Sequence, residues 1–167
     1  MAKTKYFQIV SLFLAAAVIT SILFISPGKV SGESAYSSNQ DVESAILQVV
    51  NQNRSNAHRG SLIQSNSLTE VARIRSQDMA KKGYFSHRTP EGATVFDIMN
   101  GMNIIYMKAS ENLWLGTLEI ANAQTVVDSW MRSRSHKKSI LKKCYTQAGI
   151  GVIDSNGNRI VTIVLTN

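Results

Sequence analysis

The chain has 167 residues, with eighteen bases against eleven acids and a single cysteine. One cysteine excludes an intrachain disulfide framework, and the length points to one folded domain. The net charge of +7 directs attention to anionic partners, such as a wall polymer or a lipid surface.

Lys3 and Lys5 precede YFQIVSLFLAAAVITSILFI, twenty residues without a charge, and Pro27-Gly28-Lys29 come after it. A basic start and an apolar run form the pattern of an export signal, and this run is also long enough to span a bilayer. Residues 1–32 are therefore expected to be either a signal peptide cut near Gly32 or an N-terminal membrane anchor, engaging the export machinery or the membrane. Either way the remainder is secreted or held outside the cell. Residues 33–40 are small and polar and read as a linker, which leaves 41–167 as the folding unit. Without residues 1–32, which hold Lys3, Lys5 and Lys29, the chain keeps fifteen bases against eleven acids, or +4. An exported domain that lacks disulfides points to a bacterial surface more than to an animal secretory fluid.

The first helix is expected to begin near Asn39 or Asp41. Val42, Ala45, Ile46, Val49 and Val50 recur at helical spacing, and the stripe fades into NQNRSNAHRG, with His58 in its polar tail. Ser67 and Glu70 have the spacing of a capping box, so a second helix is expected to start there. It buries Leu68, Val71, Ala72 and Met79, with Arg75 the odd member of that face, and ends at Lys81-Lys82-Gly83. GYFSHRTPEG is then the loop that leaves it, and a short helix from Thr94 to Asn100 comes next. Ser110–Leu115 reads as a strand. A further helix runs from Asn122 to Ser133, burying Ala123, Val126, Val127, Trp130 and Met131. AGIGVI (148–153) and RIVTIVLT (159–166) are β-branched runs flanking Asn156-Gly157, a hairpin signal. The fold class is α+β.

Six of the bases, Arg132, Arg134, Lys137, Lys138, Lys142 and Lys143, lie in RSRSHKKSILKK with no acid among them. The run reads either as a solvated rim or as a patch for anionic material, and its lack of aromatics speaks against a base-stacking nucleic-acid site. The chain has three histidines. His87 and His136 are expected in loops after the second and fourth helices, and Glu111 opens a strand. No two of these have a local metal spacing and no HExxH occurs, so their convergence cannot be read from spacing.

The segments ILQVVNQNR, NSLTEVARIRSQDMAKKGYFSH, SENLWLG, VVDSWMRSRSHKKSIL and AGIGV together resemble the CAP superfamily (cysteine-rich secretory proteins, antigen 5 and pathogenesis-related 1 proteins), in its bacterial branch without disulfides. The resemblance covers nearly all of 41–167 in the right order. It implies an α-β-α sandwich with a small three-stranded antiparallel sheet between helical layers. It also implies that His87, Glu111 and His136 meet at the floor of one cleft, with Tyr84 and Phe85 fixing the loop against the core. The chain departs from the family pattern at Arg134-Ser135, where Pro-Gly is expected, at Ser139 in place of Asn, and at Ser133 in place of a second glutamate.

Three functions are open at this point. The cleft is a binding module for lipid, peptide or wall material at the cell envelope. Alternatively, His87 and His136 hold Zn²⁺ or another divalent ion, with Glu111, in a hydrolase or peptidase-like site where a metal-bound water or Glu111 acts. In the third reading the same residues only lock loops together. No reaction is assigned, and Cys144 reads as a small apolar residue more than as a nucleophile.

Overall fold

The computed structural model describes residues 38–167. The expected signal or anchor over 1–32, and the linker up to residue 37, lie outside the described residues.

α1 (Asn39–Asn56) begins at Ser38, whose side chain accepts from the Asp41 amide, so Asn39 and Gln40 are helical. A two-residue strand β1 (Ile63–Gln64) precedes α2 (Asn66–Lys82). The N-cap of α2 is Ser65, accepting from the Leu68 amide, and not Ser67. The Ser67/Glu70 spacing mimicked a cap, but Ser65 leaves the sheet in extended backbone and reaches the free amide first. α2 ends at Gly83, whose φ of 68° closes the helix in the left-handed region. α3 (Val95–Gly101) carries a true capping box between Thr94 and Asp97. β2 (Ala109–Thr117) and α4 (Ala123–Arg132) fall where expected. α5 (Arg134–Ile140) was not expected: the basic run is a short helix, so His136 is helical and not in a loop. β3 (Gln147–Ser155) and β4 (Asn158–Thr166) form a hairpin whose turn residues Asn156 and Gly157 both have positive φ, 50° and 75°.

The sheet has four strands in the order β1-β3-β4-β2, not three. β2, β4 and β3 are antiparallel as expected, while β1 adds a parallel pairing of Ile63 with Gln147 and Gln64 with Ala148. Alternation along the strands sends Ala148, Ile150, Val152, Val161, Ile163 and Leu165 to one face, where they pack with Val42, Ile46, Val50, Val126, Val127 and Trp130 of α1 and α4. The opposite face meets α2 and α3 through Leu68, Val71, Ala72, Val95, Met99 and Val164. The result is helices, sheet, helices. α2 lies close because β3 presents glycines to it: a Cβ at Gly149 would overlap the Leu68–Thr69 backbone, and one at Gly151 the Ala72–Arg73 backbone. Ser76 adds a buried link, with Oγ 3.0 Å from Gly151 O and 2.9 Å from Thr162 Oγ1.

Two further buried charges fasten the layers. Glu43 of α1 accepts from Arg73 Nε at 2.9 Å and from the Val152 amide at 3.2 Å. Arg54, which the sequence places in a polar tail, is buried and donates to the carbonyls of Gly60, Ile140 and Tyr145 at 2.8, 2.6 and 3.0 Å. It thereby fixes the end of α5 against α1.

Candidate functional site

The loop leaving α2 is held from below. Arg75, fully buried on the sheet-facing side of α2, donates to the Tyr84 hydroxyl and to Ser86 O, while Tyr84 in turn donates to Asp78. The guanidinium also lies 5.5 Å from the centroid of the Tyr84 ring. Tyr84 is half-buried and packs near Met79. Phe85, expected beside it in the core, is 45% exposed, because Arg75 and Tyr84 already anchor the loop.

Arg75 reaches a third partner. Its Nε lies 3.3 Å from Glu111 Oε1 on β2, and both atoms are buried without a well-formed hydrogen bond. The other carboxylate oxygen of Glu111, Oε2, is 2.6 Å from His87 Nδ1. One arginine therefore sets the position of both the loop that carries His87 and the carboxylate that receives it. The Glu111 side chain is only 4% exposed, whereas that of His87 is 58% exposed. The hydrogen bond to Glu111 raises the His87 pKa above the ordinary imidazole value, against partial burial and the charge of Arg75. With Nδ1 turned to the carboxylate, Nε2 is the nitrogen left for a ligand.

His136 approaches from the other layer. α5 meets β2 through Ser139 Oγ, 2.6 Å from Ser110 Oγ, and through His136 O, which accepts from Asn112 Nδ2 at 3.2 Å. Ser139, the departure from the family pattern, thus makes the local contact itself. The pKa of His136 is lowered, first by burial and then by the charge of His87. The two imidazoles are close enough to feel each other, yet only His87 and Glu111 are in direct contact. Arg134 and Ser135, where Pro-Gly is the family pattern, open α5 and are exposed.

A cleft of about 360 Å³ opens beside the pair. His87, Arg88 and Glu111 make its charged end, and Val95, Phe96 and Ala109 its apolar wall. His136 is not among its lining residues. The six bases of the 132–143 run are all exposed.

From these residues a divalent ion would be offered the two imidazoles, His87 through Nε2, and no free carboxylate. Glu111 is engaged on both oxygens and His87 on Nδ1, and among the described residues no group of three or more His, Cys, Asp or Glu is placed to hold a metal. Cys144 is half-buried against the larger core cluster. Arg75 is the residue that motif reasoning passed over. Its signal was present, a charge on an otherwise apolar helical stripe, but its partners Tyr84, Ser86 and Glu111 come from beyond the helix.

Comparisons with known proteins agree with this architecture. Residues 47–166 match the model of the CAP family, the Cysteine-rich secretory protein family. YkwD of Bacillus subtilis (strain 168), an uncharacterized protein, is 34% identical over 122 residues, covering 73% of this chain and 46% of YkwD. A solved extracellular protein with an SCP domain from Bacillus anthracis is similar with a TM-score of 0.69 at 24% identity, over 77% of this chain and 41% of that one. An outer surface protein from Borrelia burgdorferi gives a TM-score of 0.71 at 15% identity, over 78% of this chain and 95% of that one. These structural likenesses speak to the fold. The chain spans less than half the length of the curated relatives it matches.

Proposed function

The chain belongs to the CAP family of cysteine-rich secretory proteins, and from its cleft we propose that it is an extracellular ligand-binding module of the cell envelope. The observation that carries this reading is the His87–Glu111 pair at 2.6 Å, braced by buried Arg75 and set at the charged end of a cleft with an apolar wall. In its protonated form, which Glu111 favours, the His87 imidazole donates through Nε2 to an acceptor, the exposed Arg88 guanidinium adds positive charge, and Phe96 and Val95 take an apolar body. The ligand this suits has a carboxylate or similar anionic head and an apolar remainder, as a lipid or a peptide end does.

Placement outside the cytoplasm is supported by the basic-then-apolar start of the chain, and by relatives described as an extracellular protein and an outer surface protein. Among the described residues no helix is long and apolar enough to cross a membrane. A metal-dependent hydrolase would use the nearness of the two imidazoles, but with Glu111 engaged it has no third protein ligand among the described residues.

Calorimetric titration with decanoate, and with a short apolar peptide bearing a free carboxylate, tests the proposal. We expect at least one to bind, with affinity reduced about tenfold or more in His87→Ala, the scale of a lost hydrogen bond to a charged group, and reduced again in Phe96→Asp. Affinity unchanged in both variants would place the ligand elsewhere and end this reading.

A further inference from the structure

The end of α3 dictates how the next residues are displayed. Asn103 has a φ of 55°, and the Ile104 amide bonds to Met99 O at 3.0 Å, turning the chain back along the helix. Ile104 and Tyr106 then face inward, packed against the α2–α3 cluster, with the Tyr106 ring 6.3 Å from that of Phe96. Ile105 and Met107, which lie beside them in the chain, face solvent at 96% and 85% exposure. The backbone is held at this point, because the Met107 and Lys108 amides are both bonded to Asn167 Oδ1, at 3.2 and 2.7 Å.

The surface next to this segment is basic. Lys108 is exposed, and two residues later Ser110 touches Ser139 of α5, the helix that carries exposed Lys137 and Lys138 and leads to Lys142 and Lys143. Met107 is three residues from Ser110, at most about 10 Å along the chain. Neither 102–108 nor 132–143 contains an acid.

We propose that Ile105 and Met107, together with the lysines of α5, form a face that docks on an anionic lipid bilayer. Two aliphatic side chains displayed on a pinned segment need hydrocarbon, and the adjoining lysines need anionic headgroups; a bilayer offers both at once. A soluble anionic polymer would engage the lysines and leave Ile105 and Met107 in water. A second copy of the chain would set like charges against each other. Docking of this face is independent of the ligand that the cleft takes. It would bring the cleft wall at Phe96, in contact with Tyr106, near the lipid surface.

The test is vesicle co-sedimentation of residues 38–167, the described residues, among which the buried core runs from Val42 to Thr166. The probes are phosphatidylglycerol–phosphatidylcholine vesicles and pure phosphatidylcholine vesicles. Binding is expected to the mixed vesicles only, and to weaken as salt shortens the Debye length towards roughly 3 Å at 1 M. Ile105→Ser with Met107→Ser should lower partitioning about tenfold or more, since each side chain loses its apolar burial. Lys137→Gln with Lys138→Gln should lower it roughly twentyfold, from the usual contribution of each base near such a surface. All four positions are exposed, so the thermal unfolding transition should be unchanged in both variants. A dye that senses its environment, attached at Ile105→Cys, should shift to the blue on mixed vesicles. The proposal is overturned if the apolar variant binds vesicles as well as the unsubstituted domain, if the dye stays in water, or if soluble polyglycerol phosphate binds while the mixed vesicles do not.

Discussion

His87 and Glu111 stand 24 residues apart and His136 about as far again beyond, so no local pattern could have joined them. What joins His87 to Glu111 is Arg75, visible in the sequence only as a charge out of place on an apolar stripe. A guanidinium offers five donors in a fixed fork, and its value depends on which acceptors the fold brings within reach. The electrostatic consequence has a definite sign. Because His87 is raised by its bond to Glu111, its contribution to stability is complete below the ordinary imidazole value near 6.5 and is lost as pH rises through the raised folded value. His136 is lowered, so its contribution is present above the ordinary value and fades as pH falls through the lowered one. In Glu111→Gln the His87 contribution disappears, whatever constant loss the Arg75 contact adds. Urea denaturation should therefore show a larger deficit for Glu111→Gln at pH 6 than at pH 9, by about 1 kcal/mol or less, because His87 is largely exposed. An equal deficit at both values would mean that the imidazole is not charged by that carboxylate.

Elements with strong local signals were legible. α1, α2 and α4 followed their apolar spacing, α3 its Thr94/Asp97 box, and the β3–β4 hairpin its Asn156-Gly157 turn. The elements that escaped had no such signal. β1 is two residues long and exists only by pairing with β3. α5 buries Ile140 alone, so it shows no apolar period; Arg54 and the Ser110–Ser139 contact fix it from outside. The glycines of AGIGV carry a different kind of information, since their role depends on α2 crossing directly above them. Gly151→Ala should push α2 off the sheet and cost about 1–3 kcal/mol, the usual scale of overpacking a tight core. Chemical denaturation of the variant measures this. A loss of only a few tenths of a kcal/mol would mean that the helix yields easily and that the close approach is incidental.

At the scale of the molecule, the helical layers and the antiparallel β3–β4–β2 core agree with what family resemblance implied, while the parallel fourth strand came only from long-range pairing. The site depends on folding drawing His87, Glu111 and His136 into one neighbourhood, where a carboxylate raises the pKa of one imidazole while burial and the charge of that ring lower the pKa of the other. Side-chain NMR titration of His87 and His136, in the folded protein and again in denaturant, tests this most directly. The folded protein should give two values on opposite sides of about 6.5, with His87 the higher, and denaturant should return both to that common value. Folded-state values that coincide would contradict the account, because the two rings would then share neither a carboxylate's influence nor each other's.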